Sequence, residues 1–228
     1  MAAAAARASQ LESIADNLAN TQSPGFKASR PAFQSFMSAE QGSDKILSAA
    51  VATGIDLSPG VTVPTDRQLD VALPDDTFLA VRTPAGTAAY TRNGHIEVGP
   101  EGGLTIAGNL LLDIEGRPMT IPEGANARVV ENGELVADDE VLGQLGLVEI
   151  KGPLARSGPA LFTPGAGAAI TPLAETTVRV GALEMGNASA LEATVQMIAA
   201  QRHFDTAMQA IQTYRKLDER AIEVGRVR

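Results

Sequence analysis

The sequence contains no cysteine and no tryptophan, and its two histidines stand far apart at positions 95 and 203. Without cysteine there is neither a disulfide framework nor a thiol nucleophile, and the redox state of the compartment is left open. Aromatic residues make up 4% of the chain, which argues against a deep aromatic ligand pocket or a base-stacking platform. Positive charge is scarce as well. Against 27 Asp and Glu stand 18 Lys and Arg, a formal net charge of −9, so there is no basic footprint for nucleic acid. No run of about 18 consecutive apolar residues occurs, so no helical membrane span is expected. The alanines after Met1 lack the basic region and long apolar core of a secretory signal, which leaves a cytosolic protein or one exported without a cleaved signal peptide.

Groups that could do chemistry are equally sparse. His95 and His203 have no second His, Cys or carboxylate at ligand spacing and read as solvated. Asp75-Asp76 and Asp138-Asp139-Glu140 are neighbouring turn acids whose side chains point apart, not a general acid and base. The glycines between Gly99 and Gly103 lack the Lys-Ser or Lys-Thr of a phosphate loop, and no Ser lies in a Gly-x-Ser-x-Gly elbow. The expectation is a protein that is not an enzyme, with no catalytic residue, no cofactor and no metal site.

What is present is a chain with helical ends and a β middle, an α+β protein of 228 residues with room for a real core. Between Asn187 and Val224 no proline or glycine interrupts, and Met197, Ala200, Phe204, Met208 and Ile211 recur at helical spacing on one stripe. Leu191, Val195 and Ile198 form a second stripe on roughly the opposite side. An ordinary surface helix buries one face, so this one calls for partners on two. At the other end Leu11, Ile14, Leu18 and a series of alanines make a small-residue face that ends at the breaker run Asn20 to Gly25. Residues 37–67 read as an extended connector with one short strand near Val61 to Val63. From 68 to 186 short strands alternate with turns, including Asn93-Gly94 and Asn132-Gly133 as hairpin signals, which points to an antiparallel barrel or sandwich. These strands are expected to complete a β core with no residue from either helix.

Three stretches carry a family resemblance. Ile14 to Lys27, through Asp16-Asn17-Leu18-Ala19-Asn20-Thr21 and Gly25-Phe26-Lys27, resembles the "NNLANxxTxGFK" signature of rod and hook subunits of the bacterial flagellum. Leu69-Asp70-Val71-Ala72, Phe78 to Val81 and Ala89-Tyr90-Thr91-Arg92-Asn93-Gly94 are similar to the "LDVAIxGxGFFxV … YTRxG" strands of the same family. Leu183-Glu184-Met185-Gly186-Asn187, Val195 to Ile198 and Gln201 to Asp205 resemble "LExSNVNxxxEMxxMIxxQRxYE". The three occur in family order. The sequence is thus identified as a member of the flagellar basal-body rod proteins, and its tail from Tyr214 resembles the proximal-rod subunit that adjoins the distal rod more than the distal-rod subunit. Family members usually carry several more residues ahead of the first signature, so the first helix is expected to begin part-way along.

The resemblance implies a structural role. The terminal segments 1–36 and 187–228 would pair as a coiled-coil-like axial domain around an export channel, with the β domain 68–186 outside. Its implied partners are other rod subunits, copies of the same chain and the flagellar type III export apparatus, with no nucleic acid and no membrane span; its implied place is the basal body, in the periplasmic rod. The interface residues that follow are Leu11, Ile14, Asn17, Leu18, Asn20, Gly25, Phe26, Leu191, Val195, Met197, Ile198, Phe204, Met208 and Ile211. A distal-rod or hook-type subunit, or a soluble monomeric β-domain binding module whose terminal helices close on themselves, is the alternative.

Overall fold

A computed structural model describes residues 2–37 and 46–225, which form two helices and eighteen strands. The chain divides into two compact units, and both are discontinuous in sequence. Unit 1 takes residues 1–19, 29–54 and 189–228; unit 2 takes 20–28 and 55–188.

Unit 1 holds helix α1 (Ala2–Ala19), the two-stranded sheet of β1 (Ser29–Met37) and β2 (Ile46–Ile55), and helix α2 (Ala190–Gly225). The alanine content of α1 favours helix and leaves a surface that another backbone can approach closely. α1 stops where Asn20 to Gly25 supply turn residues, and the Ser23 amide donates to Asn20 O at 3.1 Å. α2 starts at a serine cap: the Glu192 amide donates to Ser189 Oγ at 3.3 Å, satisfying one of the orphan donors of the first turn. No helix among the described residues is long and apolar enough to cross a membrane. The β1–β2 pair occupies ground where the sequence shows only the end of a signature and an extended connector.

Unit 2 is a set of open antiparallel sheets. Its strands are β3 (Thr62–Pro64), β4 (Val71–Ala72), β5 (Thr77–Arg82), β6 (Ala88–Thr91), β7 (Glu97–Val98), β8 (Leu104–Ile106) and β9 (Asn109–Leu111). There follow β10 (Ala127–Val129), β11 (Glu134–Ala137), β12 (Glu140–Gln144), β13 (Leu147–Lys151), β14 (Leu154–Gly158), β15 (Leu161–Pro164), β16 (Ala169–Pro172), β17 (Arg179–Val180) and β18 (Ala182–Glu184). The largest sheet runs β14-β15-β6-β5-β9-β8-β7, with β13 and then β16 branching from β5. One edge of β5 is shared end to end, since Leu79 lies opposite Leu147 of β13 and Val81 opposite Leu111 of β9. Strand alternation loads both faces. Leu79 and Val81 join a large core with Ile96, Leu104, Ile106 and Leu145, to which β10 and β11 add Val129 and Leu135, while Phe78 meets Phe162, Val148 and Ile150 in a second cluster.

The sheets end at free edges, so no closed barrel forms among the described residues and the barrel expectation reduces to antiparallel β. Nor do the terminal helices show a coiled-coil seam among the described residues. They pack through one cluster in unit 1, in which Ile14, Leu11 and Leu18 of α1 meet Ala193, Met197 and Ala200 of α2, whose alanines offer close approach in place of the large knobs that a seam requires.

Both Asn-Gly pairs also behave differently from a type I′ hairpin, which needs positive φ at both central residues. Neither Asn93 nor Gly94 has positive φ. A Cβ on Gly94 would sit 1.7 Å from Val71 O, so this glycine lets two backbones approach instead of turning a hairpin. Asn132-Gly133 does connect β10 to β11, but only Gly133 has positive φ, and its amide closes the turn on Val130 O at 2.9 Å.

Candidate assembly interface

In unit 1 the candidate residues sort by the side of the helix on which they fall. Ile14 is buried at 1% exposure against Ala193 and Ala200, with Leu11, Leu18 and Met197 packed around them. Asn17 is buried for a different purpose: its Nδ2 donates to Ser29 O at 2.8 Å and its Oδ1 accepts the Ser29 amide at 2.8 Å. One side-chain amide thus pairs with both polar groups of the residue that opens β1. Phe204 is half-buried. On the other side of α2, Leu191, Val195 and Ile198 are 78%, 60% and 50% exposed, while Met208, on the first stripe beyond Phe204, is exposed too. In its first turns α2 thus has Ala193, Met197 and Ala200 against α1 and an apolar row, Leu191, Val195 and Ile198, that stays exposed. Of Ile211 only the backbone is described.

Asn20, Gly25 and Phe26 belong to unit 2. Asn20 Oδ1 accepts the Ser23 hydroxyl at 3.1 Å. Gly25 has φ +67° and lies so close to the Arg92-Asn93 backbone that a Cβ would sit 2.1 Å from the Asn93 nitrogen, while its amide donates to Glu184 O at 2.8 Å. Phe26 is fully buried, with the Arg156 guanidinium 4.7 Å from its ring centroid. Unit 2 thus draws Phe26 and its successor Lys27 from the segment that follows the first helix.

Lys27 leads to the centre of the arrangement. Its ammonium is fully buried and donates to Glu184 Oε1 at 2.7 Å and to Ser58 O at 2.7 Å. Glu184 Oε1 also accepts the Gly60 amide at 2.8 Å, and Oε2 accepts Arg92 Nε at 2.9 Å and Nη2 at 2.6 Å. Arg92 extends outward to Pro74 O at 3.0 Å and Thr77 O at 2.8 Å. Burial alone would raise the Glu184 carboxyl, but the Arg92 charge, the Gly60 amide and Lys27 together hold it below the ordinary carboxylate value. Burial pushes the Lys27 ammonium below its ordinary value; the hydrogen bond to Glu184 opposes this and the Arg92 charge reinforces it. Beside this cluster Asn187 Oδ1 accepts the Ala28 amide at 2.7 Å, and its Nδ2 donates to Asp56 O at 2.8 Å and Ser58 O at 2.9 Å.

The three quoted stretches therefore converge in space: Gly25-Phe26-Lys27 from the first, Arg92 from the second, Glu184 and Asn187 from the third. Chance similarity in three separate segments has no reason to place a lysine, an arginine and a glutamate on one another in a buried site. Comparison with known proteins agrees. The description "Flagellar basal body rod FlgEFG protein C-terminal" matches residues 179–224. The chain is 34% identical over 239 residues to the flagellar basal-body rod protein FlgF of Salmonella typhimurium, covering 97% of this chain and 94% of that protein. It is 35% identical over 227 residues to the Escherichia coli protein of the same name, covering 92% and 90%. A Mesorhizobium japonicum counterpart is 27% identical, covering 95% and 92%.

The chain belongs to the flagellar basal-body rod proteins. Membership makes it a structural component of the basal body and not an enzyme. The residues that sequence reasoning passed over are Lys27, Arg92, Glu184 and Asn187. All four lie inside the quoted motifs, but a sequence shows a lone polar or charged residue at each place and gives no sign that these side chains meet.

Proposed function

We propose that this rod protein is a subunit of the proximal rod and is built into the hollow shaft through its terminal helices, alongside other rod subunits and further copies of itself. The observation that carries the reading is the uncovered side of α2, where Leu191, Val195 and Ile198 stay exposed after α1 has covered the opposite side. An apolar row of this kind on a charged, soluble chain is a contact surface without its partner, and the same row repeated in every copy gives heterologous contacts that grow a helical filament. In this reading residues 1–36 and 187–228 are the axial part, 37–67 the connector and 68–186 the β domain. The exposed candidates Leu191, Val195, Ile198 and Met208, with Phe204 and Ile211 along the same helix, make the inter-subunit contact, and in the assembled shaft the helices take up coiled-coil packing. The buried candidates Ile14, Asn17, Gly25 and Phe26 hold the helices and their anchor in the shape that presents it. The chain reaches the periplasmic rod through the flagellar type III export apparatus, without a cleaved signal.

A sedimentation series across a hundredfold concentration range tests the contact. The wild-type chain is expected to associate and Val195→Asp to remain monomeric, with swimming lost in a strain carrying the variant. A wild-type chain that stays a strict monomer, together with normal swimming of the variant, would instead favour a binding module working alone.

A further inference from the structure

The chain crosses between unit 1 and unit 2 four times, so unit 2 has four ends, at residues 20, 28, 55 and 188. Within unit 2, two consecutive residues beside the last of these reach the other three. Asn187 is half-buried; its Oδ1 accepts the Ala28 amide at 2.7 Å, and its Nδ2 donates to Asp56 O at 2.8 Å and Ser58 O at 2.9 Å. Its own amide donates to Phe26 O at 3.2 Å, and the Asp56 amide donates to Ala28 O at 2.8 Å, so the second and third ends are tied to each other as well as to the fourth. A backbone amide only donates and a carbonyl only accepts, which fixes the way the side-chain amide faces and gives each of its two hydrogens a carbonyl. Aspartate lacks the two donors and glutamine sets them one carbon farther out, so this set of bonds calls for asparagine. The first end is met by Gly186. A Cβ there would stand 2.8 Å from Asn20 O and 3.0 Å from Thr21 O, so glycine lets the two backbones lie this close. Asn20 O is in turn the acceptor of the Ser23 amide.

We propose that Gly186-Asn187 is a clasp that gathers the four ends of unit 2, with Asn187 as its positioning residue, so that unit 2 is joined to the axial segments by four chains held as one. A lone connecting chain turns about its own φ and ψ bonds, whereas four chains fastened at one place resist torsion as a group. The use of the clasp, to carry load between unit 2 and the axial segments, rests on the proposed place of the chain in the shaft; the clasp itself does not.

The test uses the full chain and reads amide-exchange protection at Ser23, Ala28 and Asp56, with residues 145–150 as the internal reference. Asn187→Leu nearly keeps the side-chain volume and removes every side-chain bond. Protection is expected to fall about five- to tenfold at Ala28 and Asp56, the worth of one net hydrogen bond, with the reference unchanged. Asp56 decides the matter, because its amide ends on Ala28 O and not on Asn187. Asn187→Ala, which is smaller and brings no clash, is expected to give the same pattern, and Gly186→Ala to lower protection at Ser23. In a strain carrying Asn187→Leu, swimming is expected to slow more steeply than in wild type as the medium is made more viscous. Unchanged protection at Asp56 in the two Asn187 variants overturns the clasp, and so does a fall shared equally by the reference, which would make Asn187 an ordinary part of the stability of unit 2. Swimming that declines with viscosity no faster than in wild type overturns its use under load. A wild-type chain that stays strictly monomeric in sedimentation counts against the shaft and leaves the exchange result to decide the clasp.

Discussion

Glu184 is the residue on which the most depends, since one carboxylate answers two buried cations and a backbone amide. Removing its charge leaves Lys27 and Arg92 buried without a counter-ion, and breaking a buried pair in that way costs about 3–5 kcal/mol. Glu184→Gln is therefore expected to lower the urea midpoint markedly at pH 7. Lys27→Met removes one of the two cations but leaves the Arg92 pair and the Gly60 amide in place, so its cost is expected nearer to about 1–3 kcal/mol, that of a lost buried hydrogen-bond partner. If the two variants are equally damaging, the ranking of Arg92 above Lys27 is wrong. The pH dependence follows from the sign of the shift. The Glu184 carboxyl is held below its ordinary value of 4.5, so its contribution is complete above that pH and is lost as pH falls through the lower folded value. Urea midpoints measured downward from pH 5 should fall more steeply for wild type than for Glu184→Gln. None of this could be read from the sequence, where Lys27 and Glu184 are separated by 157 positions.

At the scale of single elements, the sequence was a good guide wherever a pattern is local. The end of α1 at Ala19 and the span of α2 follow from periodicity and breakers, and strands such as Ala88–Thr91 and Leu104–Ile106 lie where alternation put them. The β1–β2 sheet was not legible, because Ser29–Met37 and Ile46–Ile55 show no clean alternation and flank a Ser- and Gly-containing stretch that reads as linker. Turn type was not legible either, since an Asn-Gly pair permits a tight turn without compelling it, and at Gly94 the approach of Val71 decides the matter. The two sides of α2 give opposite expectations for substitution. Ile14→Ala removes the filling between the helices, and at a buried site the loss is about 2–5 kcal/mol, so the far-ultraviolet helix signal of the dilute chain should melt earlier. Val195→Ala, on the uncovered side, should leave that melt unchanged within about 0.5 kcal/mol. A variant at Val195 that melts as early as Ile14→Ala would mean that the outer row is already covered in the monomer.

For the whole molecule, neither compact unit is one continuous stretch of chain, and this shapes how the protein can be cut. Residues 67–183 contain most of the β strands but lack Phe26, Lys27 and Glu184. That fragment is expected to unfold at a clearly lower urea concentration than residues 20–188, which hold the complete cluster; equal midpoints would show that the Glu184 cluster adds no stability. The same arrangement bears on the order in which folding can finish. Loop closure over so long a separation is slow relative to local hairpins, and the cradle for Phe26 and Lys27 is completed only by β18, the last strand of the chain. A polypeptide delivered N-terminus first, whether from a ribosome or through a narrow pore, can form its hairpins as they emerge but cannot lock unit 2 until all but the closing helix is through. The fold carries its own delay.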